Sequence, residues 1–243
     1  MPLIMKNTDI LIQHWQQVLV NINDVCRQTA APQPVQLIAV SKTFPINDIV
    51  TLYEAGQRDF GENYIQEFSE KTSQLAEPDI VWHMIGHIQS NKSRIVAERA
   101  HWVHTIDREK IARRLHEQRP EYLPPLNVCI EVNISAESNK HGISPDKSEL
   151  LALANIISKL PRLKLRGLMC VAKAGSTDSE LQQQFHQMQN LLQYLHQAGF
   201  AVDVLSMGMS ADLSIAIACG ATHVRVGSAI FGQRNYTQTE NNS

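Results

Sequence analysis

Apolar and polar positions along this chain switch repeatedly between the spacing of an amphipathic helix and that of a short buried strand. The opening segment, about Asp9 to Gln28, is helical in pattern and stops before the linker Ala30-Ala31-Pro32-Gln33-Pro34. Strand-like runs follow near 35–40, 58–61, 80–85, 102–105, 127–133, 165–170, 203–207 and 223–227. Helical patterns near 46–56, 63–76, 89–99, 107–118, 145–159, 178–198 and 210–219 lie between them. Asn47, Asp107, Ser144-Pro145 and Ser210 are the expected helix starts, and Gly56, Gly199 and Gly220 the expected stops. Strands that each return through a helix must run parallel. Eight such units in 243 residues predict an α/β fold, a single (β/α)8 TIM-type barrel whose extra N-terminal helix completes the outer ring. The rival is a doubly wound open sheet, which carries a glycine-rich turn after its first strand. Here that turn is Ser41-Lys42-Thr43-Phe44-Pro45, so the barrel is preferred. One domain is expected over 1–234, with 235–243 a polar, disordered tail.

Composition adds exclusions. Hydrophobic residues at 43% and charged residues at 19% describe an ordinary globular protein with a real core. A net charge of -2 with no basic stripe argues against nucleic acid or a membrane surface as partner. Cys26, Cys129, Cys170 and Cys219 are far apart, and Cys129 and Cys170 fall in apolar runs as small core residues. A reduced, cytoplasmic setting follows. Lys6, Asp9, Gln13 and His14 interrupt any signal-peptide stretch, and no run approaches the ~20 apolar residues of a membrane span.

In a barrel the residues that follow each strand build the active face. After the first strand comes Lys42, after the second Gly61-Glu62-Asn63, after the third Gly86-His87. The seventh is followed by Met207-Gly208-Met209-Ser210 and the eighth by Gly227-Ser228. A lysine carried by an apolar strand to the rim is partly desolvated, which lowers its pKa and favours the amine that attacks an aldehyde. The bland reading is a rim lysine that reaches water. Ser210, capping a helix from Ala211, with Gly227 and Ser228 forms a small, amide-rich corner suited to phosphate. An amine and a phosphate cup together point to an aldehyde-bearing phosphate such as pyridoxal phosphate. Arg225 alternates onto the face of Gly227 and so points into the upper barrel. There it either pairs with Glu62 or another acid, or donates to the pyridine nitrogen of such a ligand. His83 and His87 have metal-ligand spacing, but Trp82-His83-Met84-Ile85-Gly86 reads as extended and no acid adjoins as in HExxH, so no metal is read.

Several long segments, taken in order, resemble one family. They are Ala39-Val40-Ser41-Lys42-Thr43, Phe60-Gly61-Glu62-Asn63-Tyr64, Trp82 to Lys92, Leu168-Met169, Met207-Gly208-Met209-Ser210-Ala211-Asp212 and Val224 to Gly232. The chain from about Val35 to Arg234 thereby resembles the pyridoxal phosphate homeostasis proteins of the YggS/PROSC type. The resemblance implies a barrel similar to the alanine racemase N-terminal domain, with the cofactor covalently on Lys42. It implies Arg225 at the pyridine nitrogen, Ser210, Gly227 and Ser228 on the phosphate, and Asn63 near the ring. Racemases of this kind add a C-terminal domain that brings an opposing tyrosine across a dimer, and no counterpart is seen in this sequence. The expected function is therefore a monomeric, non-catalytic holder of pyridoxal 5'-phosphate serving vitamin B6 homeostasis, with PLP-dependent client enzymes as partners. The alternatives are an alanine-racemase-like enzyme on the same barrel and a lysine aldolase acting on sugar phosphates, which leaves Arg225 unexplained.

Overall fold

A computed structural model describes residues 7–29, 34–137 and 140–232. The expected tail at 235–243 lies outside the described residues. Helix α1 (Asn7–Thr29) precedes β1 (Gln36–Val40), α2 (Ile46–Glu54), β2 (Asp59–Glu62), α3 (Ile65–Gln74) and β3 (Val81–Met84). A 3-10 turn (Ser90–Lys92) leads into α4 (Ser93–Arg99), β4 (Trp102–Ile106), α5 (Glu109–Gln118), β5 (Leu126–Glu131) and α6 (Lys147–Ser158). Then follow β6 (Leu163–Met169), α7 (Asp178–Gln197), β7 (Val204–Ser206), α8 (Leu213–Ala218), β8 (His223–Val226) and α9 (Ser228–Phe231). The eight strands close in sequence order into one parallel barrel, β8 pairing back to β1 through Leu37 with Val224 and Ile38 with Arg225.

The expected barrel is thus the observed one, and α1 takes its place in the ring. Its stripe Leu11, Trp15, Val18, Ile22 and Val25 is buried, spaced by alternate steps of about three and four residues as an amphipathic helix requires. Trp15 Nε1 donates to Gln57 Oε1 at 2.9 Å, and Gln57 Nε2 in turn donates to the carbonyls of Leu37 and Asp59. That bond ties α1 to the bottom of β1 and β2.

Alternation along the strands sorts their side chains into two layers. Leu37, Ala39, Phe60, Trp82, Met84, Val103, Val128, Ile130, Leu168, Leu205, Val224 and Val226 pack outward under the helices in one continuous core. The inward layer is different. It holds a small apolar cluster of Trp102, Cys129, Met169 and Val204, surrounded by polar His83, His104, Ser206 and Arg225, all at most 9% exposed. Barrel interiors are ordinarily filled with branched aliphatics. A polar filling here must satisfy every donor and acceptor internally, and it positions what lies above it.

The helix ends depart from the expected starts. Pro45, not Asn47, precedes α2, and its fixed φ of -69° suits the entry. Arg108 precedes α5, while Asp107 is turned into an ion pair with Arg108. For α6 the cap is Asp146, whose carboxylate accepts from the amides of Ser148 and Glu149, in place of Ser144-Pro145. Gly56, Gly199 and Gly220 do close helices, at φ of 114°, 91° and 89°. The four-residue α9 was not foreseen, because Ser-Ala-Ile-Phe is too short to show a period.

Candidate functional site at the C-terminal mouth of the barrel

The chain leaves β1 through Ser41-Lys42-Thr43, and this turn is held from beneath. Lys71 of α3 reaches up with Nζ 2.7 Å from each of Ser41 O, Glu62 Oε1 and Glu67 Oε1. Ser41 Oγ donates to Glu62 Oε1 at 2.6 Å, and Thr43 N donates to Glu67 Oε1 at 2.6 Å. Thr43 sits at φ 68°, a region that β-branched residues seldom enter. That local strain is tolerated because hydrogen bonds on both sides of Lys42 fix the turn. Glu62 is fully buried, so desolvation pushes its carboxyl upward against the pull of Lys71.

Lys42 borders a cavity of about 740 Å³ at the mouth, and Asn63, Ser210, Arg225, Gly227 and Ser228 line the same cavity. The fold therefore brings all six expected site residues to one place. Ser210 and Ser228, from the loops after β7 and β8, meet with their Oγ atoms 3.3 Å apart. Ser210 does not cap α8, however. Asp212 directly precedes that helix, and its carboxylate takes the Met209 N–H at 2.5 Å, folding 209–212 into a turn. Gly208, at φ 95°, makes the preceding bend, where a Cβ would come 2.6 Å from Ala216 Cβ. The serine hydroxyl is thereby directed to the cavity rather than to a helix amide.

Close approach also shapes the opposite wall. A Cβ on Gly86 would lie 1.9 Å from the Asn63 carbonyl oxygen, so only glycine lets the loop after β3 pass under Asn63. Phe44 and Phe231 stack at 4.9 Å, joining the first and last loops at the rim.

Arg225 is 5% exposed and points into the upper barrel, as alternation required. It does not pair with Glu62. Nη1 donates to Ser206 O and Oγ at 2.7 and 2.8 Å, and Nη2 to Cys170 O at 2.9 Å. Glu62 faces the other way, outward to Lys71, because it lies one residue out of phase with the inward Gly61.

A smaller cavity of about 220 Å³, lined by Glu131, Asn133, Lys140 and His141 among others, shares Val171 with the first. Glu131 is the last residue of β5, a strand end at the face where such barrels place their chemistry. Burial foremost, and then Asp107, pushes its carboxyl up to about 7, and its Oε2 has no hydrogen-bond partner among the described residues. In the fold the group keeps its proton below about 7, whereas the unfolded chain releases it above about 4.5. Stability from this group is therefore lost as pH rises through that window, by about 3 kcal/mol in all. Glu131→Gln is expected to gain on the wild type by up to that amount between about pH 4.5 and 7.5 in urea unfolding. A difference that stays constant across the window contradicts the assignment.

His87, Asp107 and His141 bring possible ligand atoms within 4.8 Å of one another. Arg108 already donates to both carboxylate oxygens of Asp107 and lies 3.4 Å from His87 Nε2, so the carboxylate's charge is balanced by a guanidinium. His83, the other histidine with metal-ligand spacing, is in β3 and fully buried.

Comparison with known proteins decides the family. Residues 14–235 match the family model of the alanine racemase N-terminal domain. A pyridoxal phosphate homeostasis protein of Pasteurella multocida is 48% identical over 231 residues, spanning 93% of this chain and 98% of the relative. The chain belongs to the pyridoxal phosphate homeostasis protein family. Its Escherichia coli K12 relative of the same name is 48% identical over 214 residues, covering 86% of this chain and 89% of that one. Among solved structures, PipY of Synechococcus elongatus with PLP bound is 37% identical with a TM-score of 0.75, covering 87% of this chain and all of its own. An alanine racemase of Clostridium difficile shares the fold at TM-score 0.72 and 14% identity, and this chain spans 59% of it. The homeostasis-family barrel is thus the same fold found as one part of a longer racemase chain. No helix among the described residues is long and apolar enough to cross a membrane.

Proposed function

We propose that this protein binds pyridoxal 5'-phosphate in the cavity at the barrel mouth and holds it covalently on Lys42. The observation that carries the reading is the convergence of Lys42, Arg225 and the Ser210–Ser228 hydroxyl pair on one cavity. A volume of about 740 Å³ lies in the roughly 300–1,000 Å³ range of small-molecule sites. PipY with PLP bound, 37% identical, supports the ligand's identity.

Each residue has a task set by its chemistry. Lys42 would hold the ligand through Nζ, the amine that can bond to the aldehyde carbon. Ser210 and Ser228 donate hydroxyls to the phosphate, with Gly227 keeping that wall low enough for the backbone to approach. Arg225 would donate to the pyridine nitrogen, and Asn63 would lie beside the ring. When bound, the ligand supplies an electron-withdrawing ring. Arg225 weakens that property, since a guanidinium does not hand over its proton as a carboxylic acid does. Among the described lining residues Lys42 is the one side chain able to take up a proton at neutral pH, whereas racemisation needs a base on each face. These features favour a carrier that limits free aldehyde rather than a racemase; in this reading it is a cytoplasmic monomer that passes the cofactor to PLP-dependent client enzymes.

The test is titration of the purified protein with pyridoxal phosphate, pyridoxal and an aldehyde sugar phosphate, trapping each adduct with borohydride. Pyridoxal phosphate is expected to saturate at least about tenfold below pyridoxal, since losing the phosphate contacts forfeits charge-assisted hydrogen bonds. Equal binding of the two overturns the phosphate cup, and preferential trapping of the sugar phosphate favours the aldolase reading.

A further inference from the structure

A line of hydrogen bonds crosses the barrel interior from its bottom to Arg225. Asp59, at the start of β2, lies with Oδ1 2.8 Å from His83 Nε2. His83 Nδ1 is 2.9 Å from His104 Nε2, and His104 Nδ1 is 2.9 Å from Ser206 Oγ. Ser206 Oγ then accepts from Arg225 Nη1 at 2.8 Å. The step from His104 on β4 to Ser206 on β7 spans the barrel between strands that are not neighbours. His83, His104 and Ser206 are each fully buried.

With Asp59 ionised and both rings neutral, the hydrogen bonds admit one arrangement of protons. Ionised Asp59 only accepts, so His83 Nε2 carries the hydrogen. A neutral His83 then accepts at Nδ1, which places the hydrogen of His104 on Nε2. A neutral His104 accepts at Nδ1, so the Ser206 hydroxyl donates to it and receives the guanidinium in its turn. Complete burial, the foremost cause, holds His104 neutral by pushing its pKa well below the ordinary value. All four bonds therefore run the same way, from the cation at the mouth to the carboxylate at the bottom. Such aligned chains polarise one another in a low-dielectric interior.

We propose that Asp59, His83, His104 and Ser206 are positioning residues for Arg225, forming a one-way relay that fixes how its guanidinium faces the ligand ring. This rests on the proposed placement of Arg225 at the pyridine nitrogen. The relay gives the otherwise costly polar filling of the barrel a purpose: an aliphatic core would pack the space but leave the guanidinium without Ser206 Oγ.

Two measurements separate the relay from the binding reading. In ligand-free protein, long-range nitrogen–proton NMR of the imidazoles is expected to show His83 and His104 both neutral and both Nε2-protonated at neutral pH. An Nδ1-protonated tautomer in either ring, or a charged ring, overturns the relay whether or not the protein binds the ligand. In the loaded protein, Asp59→Asn, at the far end of the barrel, is expected to move the nitrogen-15 resonance of ring-labelled pyridoxal phosphate. Ser206→Ala is expected to weaken its binding about tenfold, the loss attached to stranding a buried donor. An unmoved resonance in folded Asp59→Asn overturns the positioning role. If the wild type fails to bind pyridoxal phosphate while the tautomers are as expected, the placement of the ligand falls, and with it the role assigned to the relay.

Discussion

Lys42→Ala is expected to abolish the visible imine absorbance that the wild type develops with pyridoxal phosphate, while leaving the fold intact. The reason is local. Lys42 is half-buried at the cavity wall, and its turn is held by bonds through the main chain of Ser41 and Thr43 and through the Ser41 hydroxyl. Removing that side chain therefore spares the network of Lys71, Glu62 and Glu67 beneath. The phosphate cup and Arg225 persist, so the variant is expected to keep weak, reversible binding of pyridoxal phosphate. Loss of the covalent bond should raise the apparent dissociation constant by at least about a hundredfold, roughly 3 kcal/mol. Absorbance titration together with thermal unfolding checks both halves. A variant that retains the absorbance locates the amine elsewhere.

Lys71→Met is expected to lower stability by about 3–5 kcal/mol, the cost of leaving one member of a buried ion pair alone. Lys71 and Glu62 have side chains 7% and 0% exposed at 2.7 Å, and no other cation is seen to approach Glu62 among the described residues. For a chain of this size the loss corresponds to about 10 °C in midpoint temperature. The deficit should shrink as pH falls, because Glu62, already raised by burial, takes up a proton once its partner is gone. Glu62→Gln in the same background should recover much of the loss, a coupling that a double-mutant cycle measures. Because Ser41 O and Glu67 share Lys71, the single variant is also expected to bind pyridoxal phosphate more weakly. A loss below about 1 kcal/mol, the range of exposed pairs, contradicts this account.

The barrel was legible because each of its units repeats a period change from two to near four, and a parallel strand has nowhere to go but beside its predecessor. The lining of the candidate site was legible for the same reason: Lys42, Asn63, Ser210, Gly227 and Ser228 all follow strands, and they border one cavity at the mouth. What stayed hidden depends on three-dimensional partners. Ser210 read as a cap until Asp212 was seen to bind the Met209 amide. Lys71 looks like any surface lysine of an amphipathic helix, and only the facing Glu62 makes it structural. His83 and His104 carry no local signal for their bond, since they are 21 residues apart and join across neighbouring strands. Arg225 was placed on the right face by alternation, but its acceptors on β7 and after β6 come from the closure of the barrel.

The central claim is that one amine, Lys42, carries the ligand. Reduction of the pyridoxal phosphate complex with borohydride, followed by peptide mapping in a mass spectrometer, tests it most directly. The added mass is expected on the peptide containing Ser41-Lys42-Thr43, at Lys42, in close to one equivalent. Stoichiometric label on Lys140, Lys92 or any other lysine, with Lys42 unmodified, contradicts the account.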